Sequence, residues 1–390
     1  MAEALPARPL DGTGGAKRVR VLHLCGSSGS NPYFSAWADY NDQARFDLTF
    51  ASLTPPGQMH RELGLRGARA LSFDCTGWQQ RLAAIPRLAR WLRRERIDIL
   101  QTHLFEAALV GGAAARLART PLVVFTGHHS HEVAVTDNLR LRAADTFASR
   151  VLADRIIAHS RDMRQIFIRY EGVDGAKMAL IPYAIDYRGW RFSAEARARV
   201  RAELGLADEP VFLAAGRLFW VKDFPTLFKG FAPVAQLHPG VTLLVVGDGP
   251  ERERLQQLIR QLGLAGRVRM LGFRQDMQDV LSAADVFVHS ALAESFCQVV
   301  VEAFALERPV VSTPVGIAPE IIEDDVDGRL FTAGQPQDLT RALLGMLEQS
   351  ARWREMGRRG RERIKPFSAD QVIPRYQAQH LTWLSEVSQP

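Results

Sequence analysis

The chain has 390 residues, 47% of them hydrophobic and 24% charged, with a formal net charge of +6 and three cysteines. This excludes a disordered chain and a disulfide-framework miniprotein, and the length calls for two cores rather than one. No run reaches the roughly 18 apolar residues of a spanning helix, and the first residues lack an apolar leader core, so a soluble, cytoplasmic protein is expected. The positive charge favours anionic partners without selecting among nucleotides, nucleic acid, acidic sugars and membrane surfaces.

In chain order, short β-branched runs at 19–24, 47–52, 70–73, 99–103, 122–126 and 156–159 read as buried strands, mostly separated by helical patterns. Continuously apolar strands alternating with helices signal βαβ units and a parallel sheet covered on both faces. The rhythm restarts after an Arg- and Ala-rich helix at 194–204, with strands at 211–215, 241–246, 268–271, 286–289 and 310–312. A non-periodic stretch at 181–190, bracketed by Pro182 and Gly189, marks the boundary. The expected division is therefore 1–188 (with 1–17 disordered), 189–368, and a C-terminal helix within 369–390 that packs back on the first domain. The fold class is α/β, two Rossmann-like domains facing each other across a cleft, with ligands at the carboxyl ends of strands.

Three strand-end motifs carry the chemistry. Glu294-Ser-Phe-Cys-Gln-Val-Val-Val-Glu302 runs from a strand into a helix. Two carboxylates eight residues apart suit paired sugar hydroxyls, and the backbone N–H groups of Phe296 and Cys297 at a helix start suit a phosphate. Taken alone, two solvent-facing glutamates are the commoner explanation. Gly216-Arg217-Leu-Phe-Trp-Val-Lys222 puts a glycine, an Arg fork and a Lys after another strand, the natural grip for a diphosphate. Val246-Gly-Asp-Gly-Pro250 lacks one glycine of the dinucleotide fingerprint and reads as a tight structural turn.

In the first half, Cys25-Gly-Ser-Ser-Gly-Ser30 follows the first strand, so Gly29 and Ser30 are candidates for close approach of a ligand to the backbone. His103 ends one strand and His128-His129-Ser-His131 follows another. No cysteine or spaced carboxylate completes a metal set there, so no metal is expected and His128 is read as a hydrogen-bonding group. Asp325-Val-Asp327 reads as a surface turn rather than a metal motif. The segment 78–96 combines Leu82, Ile85, Leu88 and Leu92 at helical spacing with Arg81, Arg87, Arg90, Arg93 and Arg94, either a solvated helix or a contact with an anionic membrane.

These residues together resemble the donor domain of retaining glycosyltransferases of family 4, also called group 1. The likeness runs from Val211 to about Leu330 through Gly216-Arg217 with Lys222, the Val246–Pro250 turn, Leu271-Gly-Phe273, the Glu294 and Glu302 pair, Pro309-Val-Val-Ser312, Gly316 and Pro319-Glu320. The first domain resembles the family more loosely, through Gln101-Thr-His103, Thr126-Gly-His128 and Ile181-Pro182. The resemblance implies a GT-B fold and metal-independent transfer, with retention of configuration, of a sugar from a nucleoside-diphosphate sugar, UDP or GDP foremost, to an acceptor hydroxyl. No cofactor beyond this co-substrate is implied. It also implies Arg217 and Lys222 on the diphosphate, Glu302 on the ribose, and Glu294 on the transferred sugar with His128 nearby. Arg274, Ser295, Phe296, Cys297 and Gln298 complete the donor set, and His103 and His129 lie toward sugar or acceptor.

The acceptor is expected to be a glycan, a lipid-linked or a small molecule in polysaccharide, lipopolysaccharide or glycolipid synthesis, with an anionic membrane surface as a further partner and no nucleic acid. The rivals are a GT-B sugar-nucleotide epimerase and a catalytically silent partner subunit, with a dinucleotide oxidoreductase third. The sequence departs from the family at Tyr183-Ala184, in place of Asn-Gly, and at Cys297 and Glu307, where glycines are common.

Overall fold

A computed structural model describes residues 18–127 and 139–388, so the expectation for residues 1–17 lies outside the described residues. The chain divides into two compact units, the first ending at Asp186 and taking back the segment from Ala369, the second running Tyr187–Ser368.

In the first unit the strands are β1 (Val19–Cys25), β2 (Phe46–Ser52), β3 (Arg69–Ser72), β4 (Ile99–His103), β5 (Leu122–Thr126), β6 (Arg155–Ala158) and β7 (Met178–Leu180). They form one parallel sheet in the order β3-β2-β1-β4-β5-β6-β7. The second unit has β8 (Val211–Ala215), β9 (Thr242–Val246), β10 (Val268–Gly272), β11 (Val286–His289), β12 (Val310–Ser312) and β13 (Gly328–Leu330). These too are all parallel, in the order β10-β9-β8-β11-β12-β13. Each sheet thus reverses direction once, between β1 and β4 and between β8 and β11. Neighbouring crossovers leave the sheet on opposite faces at such a point, which opens a crevice at the carboxyl ends of the strands.

The central strands β4, β5, β8 and β9 are buried at every position, as continuous apolar runs require when helices cover both faces. The edge strands β7 and β13 have three residues each, are partly exposed and carry no β-branched residue, so neither was expected from the sequence. Local caps fix two helix starts in the second unit: the Asp223 carboxylate accepts from Thr226 N at 3.3 Å ahead of helix Phe224–Leu237, and Ser193 does the same for Ala196 N ahead of helix Ala194–Glu203.

The C-terminal helix, Ala369–Ser388, belongs to the first unit. Its Val372, Ile373 and Tyr376 are fully buried and join Tyr33, Phe34 and Trp37 of helix Pro32–Tyr40 in one core cluster. Ala369 N donates to Ile185 O (3.0 Å), and Gln377 Nε2 to Asn41 Oδ1 (2.9 Å). Asp327 departs from the surface reading of its turn. It is fully buried and paired with Arg363, while Asp325 stays exposed against Arg329.

Candidate functional site

Two loops meet where the second sheet reverses. The loop after β8 carries Gly216, Arg217 and Lys222, and the loop after β11 carries Ser290 to Cys297. They are tied by Ser290 Oγ donating to Lys222 O (2.8 Å) and Leu292 N to Val221 O (2.8 Å). The β9 turn buttresses the first loop. Gly216 N donates to Val246 O (3.0 Å) and Leu218 N to Asp248 O (2.9 Å). Gly247 sits at φ 135°, and a Cβ there would stand 1.9 Å from Gly216 O, so the turn needs glycine to support its neighbour. Gly316, at φ 57°, does the same for the second loop, since a Cβ would meet Phe296 O at 2.9 Å and Glu294 Cβ at 3.1 Å.

Lys222 Nζ makes an ion pair with Glu294 Oε1. His289, at the end of β11, brings Nε2 to 3.2 Å from the same oxygen, close enough for electrostatic contact yet out of line for a regular hydrogen bond. Glu294 is 9% exposed and His289 4%. Burial by itself raises the Glu294 carboxyl, but proximity of His289 and the charge of Lys222 outweigh it and hold the group at about 2. A buried carboxylate is thereby kept fully ionised, able to accept two hydroxyl hydrogen bonds, next to a cation able to meet a phosphate.

Cys297 is buried and caps helix Gln298–Ala305 in the left-handed region, at φ 75°. Its thiol is pushed well up, first by burial and then by the nearby Glu294 charge. Phe296 is buried beside it, and Ser295 is partly exposed. Glu302 lies inside the helix and accepts from Gln298 Nε2 at 2.7 Å, and burial raises its carboxyl. The two glutamates therefore stand on different elements, one in the loop and one in the helix. Arg217 is exposed, its guanidinium 5.1 Å over the Phe219 ring. Arg274, beyond β10, is held by Asp276 (2.7 Å) and Glu203 (2.6 Å) rather than by the Lys222–Glu294 pair. Among the described residues, His289, Glu294 and Cys297 are the group whose ligand atoms come within 4.8 Å of one another. His289 was not singled out from sequence, although its place at the end of a strand next to the Glu294 motif was the available signal.

In the first unit, Gly29 and Ser30 are exposed in the loop after β1, and Ser30 Oγ donates to Glu62 (2.8 Å). His103 is 1% exposed, with Nε2 3.1 Å from His23 Nδ1, in a box of rings that includes Tyr33 and Phe34. His128 and His129 lie outside the described residues.

Two family models match the chain: "Glycosyl transferases group 1" over residues 196–363 and "Glycosyltransferase Family 4" over residues 28–188. The chain is 30% identical over 299 residues to a D-inositol 3-phosphate glycosyltransferase of Thermobifida fusca, covering 71% of this chain and 67% of that protein. It is 28% identical over 265 residues to the UDP-Gal:alpha-D-GlcNAc-diphosphoundecaprenol alpha-1,3-galactosyltransferase of Escherichia coli, covering 66% of this chain and 68% of that one. Across its curated relatives, the chain spans between about half and two thirds of their length. A crystal structure of Anabaena HepE (Alr3699) in complex with UDP-glucose superposes with a TM-score of 0.80 at 24% identity, over 93% of this chain and all of that one. The two parallel, once-reversed sheets are those of the GT-B fold. By sequence and by fold, this chain belongs to the group 1 glycosyltransferases.

Proposed function

We propose that this protein transfers a sugar from a UDP- or GDP-sugar to an acceptor hydroxyl in glycolipid or polysaccharide synthesis, with retention of configuration and without a metal. The observation that carries this reading is the Lys222–Glu294 ion pair at the reversal point of the second sheet, ahead of the helix that holds Glu302. The names of the relatives support the transferase class, and the complex of HepE with UDP-glucose supports the donor class. The epimerase and silent-partner alternatives gain no observation of their own.

In this mechanism the anomeric C–O bond of the donor breaks, and negative charge develops on the departing diphosphate. Lys222 and Arg217 carry the positive charge that stabilises it, aided by the N–H groups at the start of helix Gln298–Ala305. Glu294 accepts hydroxyls of the transferred sugar, and Glu302 those of the ribose. The acceptor oxygen forms its bond on the face the diphosphate leaves, and a diphosphate oxygen takes the proton, so no protein base is needed. Contact with an anionic membrane forms part of the proposal. Helix Trp78–Arg94 has no acidic residue and exposes Trp78 (43%) and Leu82 (53%) alongside Arg87, Arg90, Arg93 and Arg94.

The test is thermal unfolding of the protein with UDP, GDP, ADP and dTDP sugars. One nucleotide family is expected to raise the midpoint, by about 2.7 kcal/mol of stabilisation at a hundredfold excess over Kd, and Lys222→Ala is expected to lose the effect. No rise with any of them would overturn the proposal.

A further inference from the structure

The group 1 reading leaves one feature of the donor site without a use. His289, Glu294 and Cys297 bring an imidazole nitrogen, a carboxylate oxygen and a sulfur within 4.8 Å of one another, and all three residues are buried. Nitrogen, oxygen and sulfur donors together suit a borderline-soft divalent cation, Zn2+ above all.

The spacing fits as well. With Zn–N and Zn–O bonds of about 2.1 Å, tetrahedral ligand atoms stand about 3.4 Å apart, and His289 Nε2 lies 3.2 Å from Glu294 Oε1. That Nε2 is buried, and no regular hydrogen bond occupies it. Such an orphaned nitrogen aimed at a carboxylate has a lone pair to offer once its ring proton sits on Nδ1. The position already tolerates a cation, since the Lys222 ammonium rests on the same carboxylate oxygen. Its flexible stem, with a side chain 22% exposed, can carry that ammonium outward. The third ligand, Cys297, sits at φ 75°, a backbone shape that strains a residue with a Cβ. Strain held at a site is a reason to ask what the side chain does there.

We propose that His289 Nε2, Glu294 Oε1 and Cys297 Sγ form a Zn2+ site that blocks sugar transfer by taking Glu294 away from the donor. The blocking half rests on the role given to Glu294 above, whereas the metal site does not. Binding converts the Cys297 thiol into a zinc-bound thiolate and releases one proton. Three protein ligands leave a fourth position for water. The ion is an inhibitor in this proposal and takes no part in transfer.

The test is titration of the full-length protein with Co2+ and then Zn2+, with no nucleotide sugar present, so the outcome does not depend on what the protein transfers. One equivalent of Co2+ is expected to give a thiolate-to-cobalt charge-transfer band that Zn2+ bleaches. Cys297→Gly suits the left-handed backbone and keeps the fold by thermal melt, and it is expected to lose the band. His289→Asn is expected to weaken the ion at least tenfold. Absence of one-equivalent binding, or a band that survives in Cys297→Gly, overturns the site. In a second arm, saturating Zn2+ is expected to weaken the stabilising nucleotide sugar at least tenfold. Unchanged sugar affinity overturns the blocking half.

Discussion

The two units share one topology and fill its reversal point differently. In the first, the region around β1 and β4 is packed with rings: His23 and His103 in contact, Tyr33, Phe34, Trp37 and Phe50 around them, and His159, Tyr376 and His380 close by. In the second, the region around β8 and β11 is built on charge: Lys222, Glu294 and His289, with Arg197 donating to Asp285 (2.7 Å) at the opposite end of β11. The fold alone therefore does not dictate what lies at the crevice. One sheet end became a neutral core that anchors the C-terminal helix, and the other a polarised site that needs both partners to stay charged.

The largest effect expected from that difference is at Lys222. Replacing it by Met leaves the buried Glu294 carboxylate without its ammonium partner, and breaking a buried pair from one side costs about 3–5 kcal/mol. Turnover is expected to fall on the order of 10²-fold or more, because charge on the leaving group loses its partner. Adding Glu294→Gln is expected to restore most of the stability in denaturant unfolding and none of the turnover. Recovery of both would mean the pair is structural.

Acid should separate the units in the other direction. Burial lowers His159 to about 4 and His380 to about 3, and lowers His23 as well. These rings stay neutral in the fold, while the unfolded chain charges them near 6.5, so the unfolded state binds more protons below that pH. The stability they permit is complete above 6.5 and falls with pH until the folded values are reached. At pH 5 the loss is about 2 kcal/mol each for His159 and His380. Hydrogen exchange between pH 7 and 5 is expected to show the C-terminal helix and β1 opening while β8 and β11 hold. Equal acid loosening of both units would refute the contrast.

The charged site was far more legible in the sequence than the ring box. Lys222 and Glu294 stand in loops after strands, where a parallel α/β sheet binds its ligands, and Glu302 gained weight only through its spacing to Glu294 and the group 1 resemblance, since two glutamates alone read more simply as solvent-facing. The central strands were legible as unbroken apolar runs. His23 and His380 gave no such signal, since each lies inside an apolar pattern and their pairing with β4 and Trp37 depends on contacts across 80 or more residues. Strands β7 (Met-Ala-Leu) and β13 (Gly-Arg-Leu) escaped because neither carries a β-branched residue or is fully buried, unlike the equally short β12 (Val-Val-Ser). Asp327 was misread because its partner, Arg363, is 36 positions away, and nothing local says that the turn will be covered.

The smallest effect concerns the two departures from glycine in the second unit, which the structure makes comparable. Cys297 and Glu307 both adopt left-handed backbone, at φ 75° and φ 57°, so the chain keeps the shape a glycine would have and carries a side chain at the expense of strain. Glycine at either position relieves about 1–2 kcal/mol and gives back about 0.5–1 kcal/mol through the freer unfolded chain. Glu307 is only half-buried, so Glu307→Gly is expected to stabilise by about 0.5–1 kcal/mol, a rise of about 1–4 °C in Tm. Cys297 is 3% exposed, and losing its buried thiol cancels the gain, so Cys297→Gly is expected to leave Tm nearly unchanged. If both variants gain equally, the Cys297 side chain contributes nothing to packing, and the strain at the charged crevice is borne for some reason other than stability.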